Sequence, residues 1–231
     1  MPKPVIELEK IDKAYRLGKE RFLPVLKNIN FALNKGDFIA IMGPSGSGKS
    51  TLMNIIGLLD RPNSGLYRLD SQDTETLPKR QFSKLRGKKV GFIFQNYNLL
   101  PRYSVYKNVE LPLIYAKVER AKRKELVSNA IKSVGLSNRI KHKPNELSGG
   151  EAQRAAIARA IVNAPEIILA DEPTGNLDSK TGLEIMSLLK NANKKGATVV
   201  VVTHDPKIAQ WADKTITMVD GEFATGKDEK K

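Results

Sequence analysis

The residues Gly43-Pro44-Ser45-Gly46-Ser47-Gly48-Lys49-Ser50 decide how the rest of the chain is interpreted. An aliphatic run, Asp37 to Met42, precedes them, and a helical pattern begins near Lys49. A strand, a glycine-rich turn and a helix in this order form a cradle for phosphate, because the turn and the helix N-terminus direct backbone N–H groups at an anion. The sequence therefore predicts a phosphate-binding loop.

Two side chains of this loop are suited to a nucleotide that binds together with a metal ion. Lys49 is expected to reach the β and γ phosphates of the ligand. Ser50 offers a hydroxyl oxygen to Mg²⁺, which bridges those phosphates and offsets their charge. We therefore expect a nucleotide and Mg²⁺ to bind at this loop.

A second strand pattern, Glu166 to Ala170, is followed by two adjacent acids, Asp171 and Glu172. Adjacent residues of a strand point to opposite faces, so the two carboxylates cannot share one role. At the carboxyl end of a parallel strand, Asp171 suits Mg²⁺, directly or through water. Glu172 is then free to orient or deprotonate an attacking water.

A further aliphatic run, Val199 to Val202, ends in Thr203, His204 and Asp205. At the end of a strand, His204 is a candidate sensor of the γ-phosphate. A structural role is the alternative, and the sequence leaves both open.

The composition restricts the class of protein. The chain has 231 residues, of which 40% are hydrophobic and 28% charged, as is typical of globular proteins. It contains no cysteine, which excludes disulfides, thiolate zinc sites and cysteine nucleophiles. The first residues lack an apolar signal core, and no apolar run approaches the roughly 18 residues that span a bilayer. Any membrane role is therefore expected to need a partner chain.

The positive charge is concentrated in one segment. The formal net charge is +14, and residues 79 to 143 account for all of it, with 17 Lys and Arg against three acids, Glu110, Glu119 and Glu125. A solvated helical face is one interpretation. A surface for anionic lipid headgroups, for an acidic partner or for nucleic acid is the other, and composition does not choose among them.

Short aliphatic runs alternate with helical patterns along the chain, which indicates an α/β fold. The predicted strands are Asp37 to Met42, Lys89 to Phe94, Glu166 to Ala170 and Ala197 to Thr203. The predicted helices are Lys49 to Leu59, Glu119 to Val134, Gly149 to Asn163 and Lys180 to Asn193.

Other segments complete this organisation. Val5 to Leu33 is expected to form further strands, for which an antiparallel addition is one option. Thr215 to Ala224 is expected to form a hairpin around Asp220-Gly221 at the sheet edge. We expect one domain over residues 1–227, with a catalytic core at 1–95 and 148–227, a helical insertion at 96–147 and a short charged tail at 228–231.

Another glycine-rich helix start, Leu147-Ser148-Gly149-Gly150-Glu151, follows the insertion. Together with the phosphate loop, it makes the chain resemble the nucleotide-binding subunit of an ATP-binding cassette (ABC) transporter over nearly its full length. The resemblance implies a P-loop NTPase core with a mainly parallel sheet, an antiparallel N-terminal β region and a helical insertion. It also implies an ATPase that binds ATP and Mg²⁺ as a head-to-tail homodimer. In that dimer Ser148, Gly149, Gly150 and Glu151 of one copy contact the ATP bound to the other.

The same resemblance assigns further residues. The ATP-binding residues would be Tyr15, which stacks on adenine, and Gly43, Pro44, Ser45, Gly46, Ser47, Gly48, Lys49, Ser50 and Thr51. The metal would be held by Ser50, Gln95 and Asp171, and the catalytic residues would be Glu172, His204 and Gln95. Gln95 would also link the core to the insertion, and Asp178 would communicate across the dimer. Glu151 departs from the family, where glutamine is commoner at this position.

Within the family, residues 42–54, 94–99 and 108–113 resemble the branch of lipoprotein-release, macrolide or peptide export, and cell-division ATPases. This implies a motor held at the cytoplasmic face of the membrane by a separate integral membrane permease, without a nucleic-acid partner. One alternative is an ATPase that regulates a cell-division or cell-wall membrane complex. Another is a soluble nucleic-acid-associated ABC-type ATPase, which is disfavoured because only about a hundred residues separate Lys49 from Ser148 and no cysteine supplies a zinc module.

Overall fold

The computed structural model describes residues 4–18 and 21–224, and the chain divides into two compact units. The first unit contains Met1–Arg86 and Val200–Lys231, and the second contains Gly87–Val199. The charged tail predicted at 228–231 lies outside the described residues.

The elements are numbered in chain order. The strands are β1 (Ile6–Leu17), β2 (Arg21–Leu33), β3 (Phe38–Met42), β4 (Ser64–Leu69), β5 (Gln72–Asp73), β6 (Val90–Ile93), β7 (Ile167–Asp171), β8 (Thr198–Val202), β9 (Lys214–Val219) and β10 (Glu222–Phe223). The helices are α1 (Lys49–Ile56), α2 (Lys79–Lys89), α3 (Val105–Tyr115), α4 (Arg120–Ser133), α5 (Gly149–Ile161), α6 (Ser179–Lys194) and α7 (Pro206–Ala209). Short 3₁₀ turns occur at Ser137–Arg139 and Pro144–Glu146.

An antiparallel sheet of the first unit has the strand order β2-β1-β4-β5. Along β1, the side chains of Ile6, Leu8 and Ile11 are buried among exposed polar neighbours, as expected for a strand with one face in the core. The pairing with β2 shifts register between Leu8 and Ile11, where Lys10 has a φ of +50°. This sheet confirms the antiparallel strands predicted for residues 5–33.

The other strands form a mainly parallel sheet. In the first unit the order is β10-β9-β3-β8, with β3 parallel to β9. In the second unit it is β8-β7-β6, with β6 parallel to β7, and β8 is divided between the units. All five residues of β8 are buried, which is typical of strands with both faces covered. The predicted α/β fold is confirmed, as is the C-terminal hairpin of β9 and β10.

The second unit is organised around α5. A Cβ on Gly91 of β6 would lie 2.3 Å from the carbonyl oxygen of Ala160, so glycine permits the close approach of α5 to this strand. Ala155, Ala156 and Ala158 of α5 are buried. Their small side chains allow α3, α4 and α6 to pack against the same helix.

Some elements have no counterpart among the predicted ones. β4 alternates the buried Tyr67 and Leu69 with a half-buried Arg68, which is a strand pattern, whereas β5 has only two residues and α2 and α7 are too polar or too short for periodicity to detect. Helices α3 and α4 lie between residues 96 and 147, as predicted, but the exact bounds of the insertion stay a prediction. Within residues 4–18 and 21–224, no helix combines the length and the apolarity that a membrane crossing requires.

Candidate functional site

The phosphate loop connects β3 to α1 in the first unit. α1 begins after Gly48, which has a φ of +101° and offers no side chain to the first N–H groups of the helix. By contrast, α3, α5 and α6 are capped by the side chains of Ser104, Ser148 and Asp178. The backbone donors at the start of α1 are therefore left for a ligand with acceptor oxygens, such as phosphate.

The loop is packed too tightly for side chains at two of its glycines. A Cβ on Gly43 would lie 2.1 Å from the carbonyl oxygen of Met218, and a Cβ on Gly48 would lie 2.9 Å from that of Val25. The carbonyl oxygen of Ser47 accepts a hydrogen bond of 3.1 Å from the N–H of Gly221. Strand β2 and the β9–β10 hairpin therefore shape the loop from outside.

Lys49 curls back over this loop. Its Nζ lies 2.8 Å from the carbonyl oxygen of Gly43 and 2.7 Å from that of Pro44. The ammonium group is thus beside the backbone that would cradle an anion. Ser50 and Thr51 follow in the first turn of α1, with Ser50 exposed. The predicted loop residues, Gly43 to Thr51, run without interruption from the end of β3 into α1, with Ser47 and Gly48 buried.

Tyr15 lies on β1 and pairs with Leu23 of β2. Its hydroxyl donates to Asp60 Oδ2 at 3.1 Å, and Lys13 Nζ lies 5.1 Å from the centre of its ring. The same Lys13 forms an ion pair of 2.8 Å with Asp60. Tyr15 is 37% exposed, which leaves ring surface available for stacking on a planar group.

Asp60 and Lys13 hold Tyr15 in place, although the sequence analysis did not identify them. Burial alone would raise the pKa of Asp60, but the hydrogen bond and charge of Lys13 lower it below its ordinary value. The carboxylate therefore stays ionised and keeps accepting from the Tyr15 hydroxyl. No sequence signal connects Asp60 to Tyr15, because they are 45 positions apart.

His204 is exposed and follows directly after Thr203, whose N–H donates to the carbonyl oxygen of Ile41 at 3.1 Å. Ile41 lies two positions before Gly43. His204 and the phosphate loop therefore leave the same edge of the sheet.

In the second unit, β7 ends at Asp171, and Glu172 follows with a φ of +44°. This left-handed conformation is uncommon for a residue with a side chain. The N–H of Gly175 donates to the carbonyl oxygen of Glu172 at 3.1 Å, which closes a tight turn with Pro173 at its second position. The two adjacent carboxylates thus belong to different backbone conformations.

Gln95 is held by Asn176. Asn176 Nδ2 donates to the carbonyl oxygen of Gln95 at 3.1 Å, and Gln95 Nε2 lies 3.4 Å from Asn176 Oδ1. A Cβ on Gly175, the residue before Asn176, would lie 2.8 Å from Gln95 Nε2, so glycine permits this close approach. Gln95 is therefore attached to the segment that carries Asp178. Nothing in the sequence marks Asn176 for this role.

The second glycine-rich helix start is stabilised by a reciprocal cap. The hydroxyl of Ser148 accepts from the N–H of Glu151 at 3.3 Å, and Glu151 Oε2 accepts from the N–H of Ser148 at 2.8 Å. Arg139 Nε donates to Glu151 Oε1 at 2.8 Å. These bonds, that of Arg139 above all, lower the pKa of Glu151 to about 2. Because Glu151 stands where glutamine is commoner in the family, this position carries a negative charge, and Arg139 pairs with it.

Ser148, Gly149 and Gly150 line an open groove of about 310 Å³ together with Asp178. Asp178 caps α6 by accepting from the N–H of Thr181 at 3.0 Å. The structure therefore brings the predicted signature residues and the predicted communication residue to one face of the second unit.

A comparison of the sequence with known families gives a match to the family described as ABC transporter, over residues 26–175. The chain belongs to the ABC transporter family. It is an ATP-binding and ATP-hydrolysing member, which confirms the predicted fold, activity and nucleotide.

Several ABC proteins are similar to the chain over most of its length. The uncharacterized ABC transporter ATP-binding protein YvrO of Bacillus subtilis is 50% identical over 95% of both chains. The macrolide export ATP-binding/permease protein MacB of a Shewanella species is 46% identical over 96% of this chain, which spans only 34% of MacB. The dimeric structure of the ATP-binding cassette MJ0796, in a post-hydrolysis state bound to ADP and Pi, is 44% identical. It superimposes with a TM-score of 0.90 over 98% of this chain and 99% of that one.

ABC ATPases act with Mg²⁺, and the donor atoms of this chain suit that ion. Ser50 and Asp171 offer a hydroxyl and a carboxylate oxygen. Over the described ranges, no group of three or more His, Cys, Asp or Glu side chains could hold a metal by itself. Mg²⁺ fits so sparse a donor set, because it binds through one or two carboxylates and otherwise keeps waters and phosphate oxygens.

Replacing Glu151 by glutamine should lower the free energy of unfolding by an amount that depends on pH. The ionised carboxylate stabilises the folded state above its unfolded pKa of about 4.3, and this contribution is lost as the pH falls toward the folded pKa of about 2. We expect the difference in free energy of unfolding between wild type and Glu151→Gln, measured with urea, to shrink between about pH 5 and pH 3. Arg139→Gln should reduce the same pH dependence, whereas a difference that stays constant with pH would contradict the assigned contacts.

Proposed function

We propose that this chain is the motor subunit of an ABC transporter whose membrane-spanning permease is a separate chain. ATP closes two copies into a head-to-tail homodimer, and hydrolysis with loss of phosphate reopens it. One observation carries the proposal: a single chain contains one uncapped phosphate loop at α1 and one signature at α5. Because each ATP in such a dimer needs both, two copies are required.

The residues of the first unit hold the nucleotide in this proposal. Tyr15 stacks on adenine, while Lys49 and the loop N–H groups bind the phosphates. His204 senses the γ-phosphate from the sheet edge where the loop begins. The rigid support of Tyr15 by Asp60 favours stacking, since a fixed ring loses little freedom when a base packs on it.

The residues of the second unit supply the chemistry. Asp171 and Gln95, with Ser50 of the loop, would hold Mg²⁺, which offsets charge on the phosphate oxygens when bound. Glu172 orients or deprotonates the attacking water. The turn conformation supports this division of labour, because it separates the direction of Glu172 from that of Asp171.

The signature residues serve the other copy. Ser148 and Gly150 face an open groove shared with Asp178, which is the arrangement expected for a surface that meets a second subunit. The dimeric state of MJ0796, a similar cassette, supports the same assembly here.

The proposed cargo follows from the names of similar proteins. MacB is named for macrolide export, and SyfD of Pseudomonas syringae, 47% identical, for probable syringafactin export. Together with the branch resemblance of residues 42–54, 94–99 and 108–113, these names lead us to place the chain in a system that exports or extracts lipoprotein, peptide or macrolide-like substrates. Its place would be the cytoplasmic face of the membrane, where it contacts the permease.

The helical insertion, 96–147, would carry the movement to the permease. Leu100 and Tyr103 are 45% and 43% exposed close after Gln95, and offer apolar surface to a helix of the partner. Asn108 fixes this segment, because its side chain bonds to the N–H and carbonyl oxygen of Leu100 and to the carbonyl oxygen of Tyr103.

Replacing Glu172 by glutamine tests the proposed cycle. Glutamine has the same shape but cannot accept the water proton, so ATP hydrolysis should fall by about a hundredfold or more while ATP binding is retained. Light scattering should show dimers of Glu172→Gln with ATP and monomers with ADP. Turnover near the wild-type rate would reject Glu172 as the base.

A mixing experiment tests the head-to-tail geometry. Lys49→Ala disables the loop and Ser148→Arg disables the signature, so neither variant should dimerise alone in the Glu172→Gln background. Mixed together they can form one complete site from the intact loop of one copy and the intact signature of the other. ATP-dependent heterodimers are the expected result, and their absence would contradict a shared site.

A basic corner of the second unit supports the membrane location. We define the α3–α4 corner by its exposed residues Ile114, Tyr115, Lys117, Arg120, Lys122 and Lys124. Tyr115 is 82% and Ile114 42% exposed. Within the part of the chain that the structure describes, the four cations make no ion pair or side-chain hydrogen bond. Exposed cations beside an aromatic and an aliphatic side chain suit a surface of anionic lipid headgroups.

Binding to vesicles tests this corner. Replacing Lys117, Lys122 and Lys124 by glutamine should weaken binding to vesicles that contain phosphatidylglycerol by on the order of a hundredfold, at about 1 kcal/mol per cation. The matched control replaces Lys35, Lys194 and Lys195, which removes the same charge and should leave binding nearly unchanged. Equal losses in both variants, or binding to duplex DNA but not to vesicles, would contradict the lipid assignment.

A further inference from the structure

Gln153 is a buried polar residue of α5 that none of the roles above uses. It has no exposed surface, and its Nε2 donates to the carbonyl oxygen of Pro173 at 2.7 Å. Pro173 directly follows Glu172, which acts as the base in the proposed function on which this inference rests. The side chain therefore reaches from the helix that begins at the signature to the turn that carries the base.

The orientation of this amide follows from its surroundings. With the amide reversed, Oε1 would face the carbonyl oxygen of Pro173, and two acceptors would repel each other. In the observed orientation, Oε1 is buried and has no hydrogen-bond partner in the described chain. A methionine of similar length would fill the same space and remove that unpaired acceptor, but it would leave the buried carbonyl oxygen of Pro173 without its donor, so the number of unpaired acceptors stays the same. Stability alone therefore gives little reason for an amide here.

The turn that receives the hydrogen bond contains a strained residue. Glu172 has a φ of +44°, and such a conformation persists only where neighbouring contacts hold it. One contact is the bond from the N–H of Gly175 to the carbonyl oxygen of Glu172. The bond from Gln153 to Pro173 fixes the residue between them. We infer that Gln153 is a positioning residue that holds the Glu172 carboxylate in its working direction.

The same helix is anchored again farther along. Arg159 donates to the carbonyl oxygens of Tyr97 and Asn98, two residues with φ values of +59° and +47° just after Gln95. Helix α5 therefore starts at the signature, holds the base turn through Gln153 and holds the segment after Gln95 through Arg159. A movement of α5 on engagement of Ser148 would reach Glu172 through a single hydrogen bond.

The first experiment replaces Gln153 by methionine in the full chain. The variant should keep the wild-type melting temperature within a few degrees, because methionine fills the site and exchanges one unpaired acceptor, Oε1, for another, the carbonyl oxygen of Pro173. The KM for ATP and ATP-dependent dimerisation should be unchanged. We expect kcat to fall about tenfold or more, because a carboxylate displaced by a fraction of an ångström orients water poorly.

Asn163, just after α5, provides a matched control. Its Nδ2 donates to the carbonyl oxygens of Gly87 and Pro112, at 3.2 Å each, so it makes the same kind of amide-to-carbonyl bond away from Glu172. Asn163→Leu should lower the melting temperature and leave kcat near the wild-type value. If Gln153→Met instead lowers melting temperature and kcat in parallel, as a merely structural residue would, the inference is overturned.

A second variant, Gln153→Glu, gives a pH signature. An ionised carboxylate cannot donate to Pro173, whereas a protonated one can, and burial raises the pKa of such a carboxyl. The ratio of its kcat to that of wild type should therefore rise as the pH falls from about 8 to about 6. A ratio that does not change with pH would count against the hydrogen bond as the cause.

Glu172→Gln distinguishes a failure of the positioning role of Gln153 from a failure of the proposed role of Glu172 as the base. If it loses hydrolysis while Gln153→Met hydrolyses ATP at the wild-type rate, the positioning role fails and the proposed function stands. If Glu172→Gln itself retains wild-type hydrolysis, the base assignment fails and the positioning role fails with it. If Gln153→Met has no further effect in the Glu172→Gln background, Gln153 acts through Glu172, as inferred.

Discussion

Nucleotide binding depends on a constraint on the backbone of the phosphate loop. The donors that start α1 lack a side-chain cap, and a loop of this kind keeps them in place only if its shape is imposed from outside. Contacts with Met218 and Val25 leave no room for a Cβ at Gly43 or Gly48, and the N–H of Gly221 bonds to Ser47. The C-terminal hairpin, which the sequence predicts only as a sheet edge, thus also shapes the cradle. A cradle formed in advance loses little entropy when phosphate binds.

In the second unit, one helix, α5, has two roles. In the proposed dimer, α5 would present its N-terminus to a second subunit while it remains attached to its own unit. The reciprocal cap between Ser148 and Glu151 satisfies the N–H groups of these two residues without a ligand, and it stabilises this helix start before any dimer forms. Arg139 balances the charge of Glu151, and Gln153 and Arg159 tie the helix to the segments that follow β7 and β6.

Much of this organisation was predictable, for physical reasons that are visible in particular residues. Buried parallel strands such as β8 are short runs of valine, and the glycine spacing of the phosphate loop has few other uses. Contacts between distant residues were not predictable, because a sequence carries no distance information. Lys13, Asp60 and Tyr15 meet only after β1 has paired with its neighbours. The role of Glu151 was open for the same reason, since Arg139 lies in a run of basic residues that all look alike.

The positive charge of the chain divides into two groups once the contacts are known. Lys89, Arg123 and Arg139 pair with Glu166, Glu110 and Glu151 inside the second unit, and these cations contribute to its structure. The exposed cations Lys117, Arg120, Lys122 and Lys124 around the start of α4 form no ion pair within the described residues. The first turn of α4 contains no acid, although the positive end of a helix dipole favours acids there and disfavours Arg or Lys by a few tenths of a kcal/mol each.

Because Arg and Lys in the first turn lower the stability of α4, their presence there is not explained by the stability of the helix. Exposed lysines along the same corner, beside a tyrosine that is 82% exposed, form a surface that folding does not require. If the chain works at a membrane, as proposed, anionic headgroups would supply the missing favourable term, because the lipid phosphates would neutralise the cations and the headgroup layer would accommodate the aromatic ring. On that proposal, the unpaired cations of the α3–α4 corner reflect where the motor works, whereas the paired cations Lys89, Arg123 and Arg139 reflect how the unit folds.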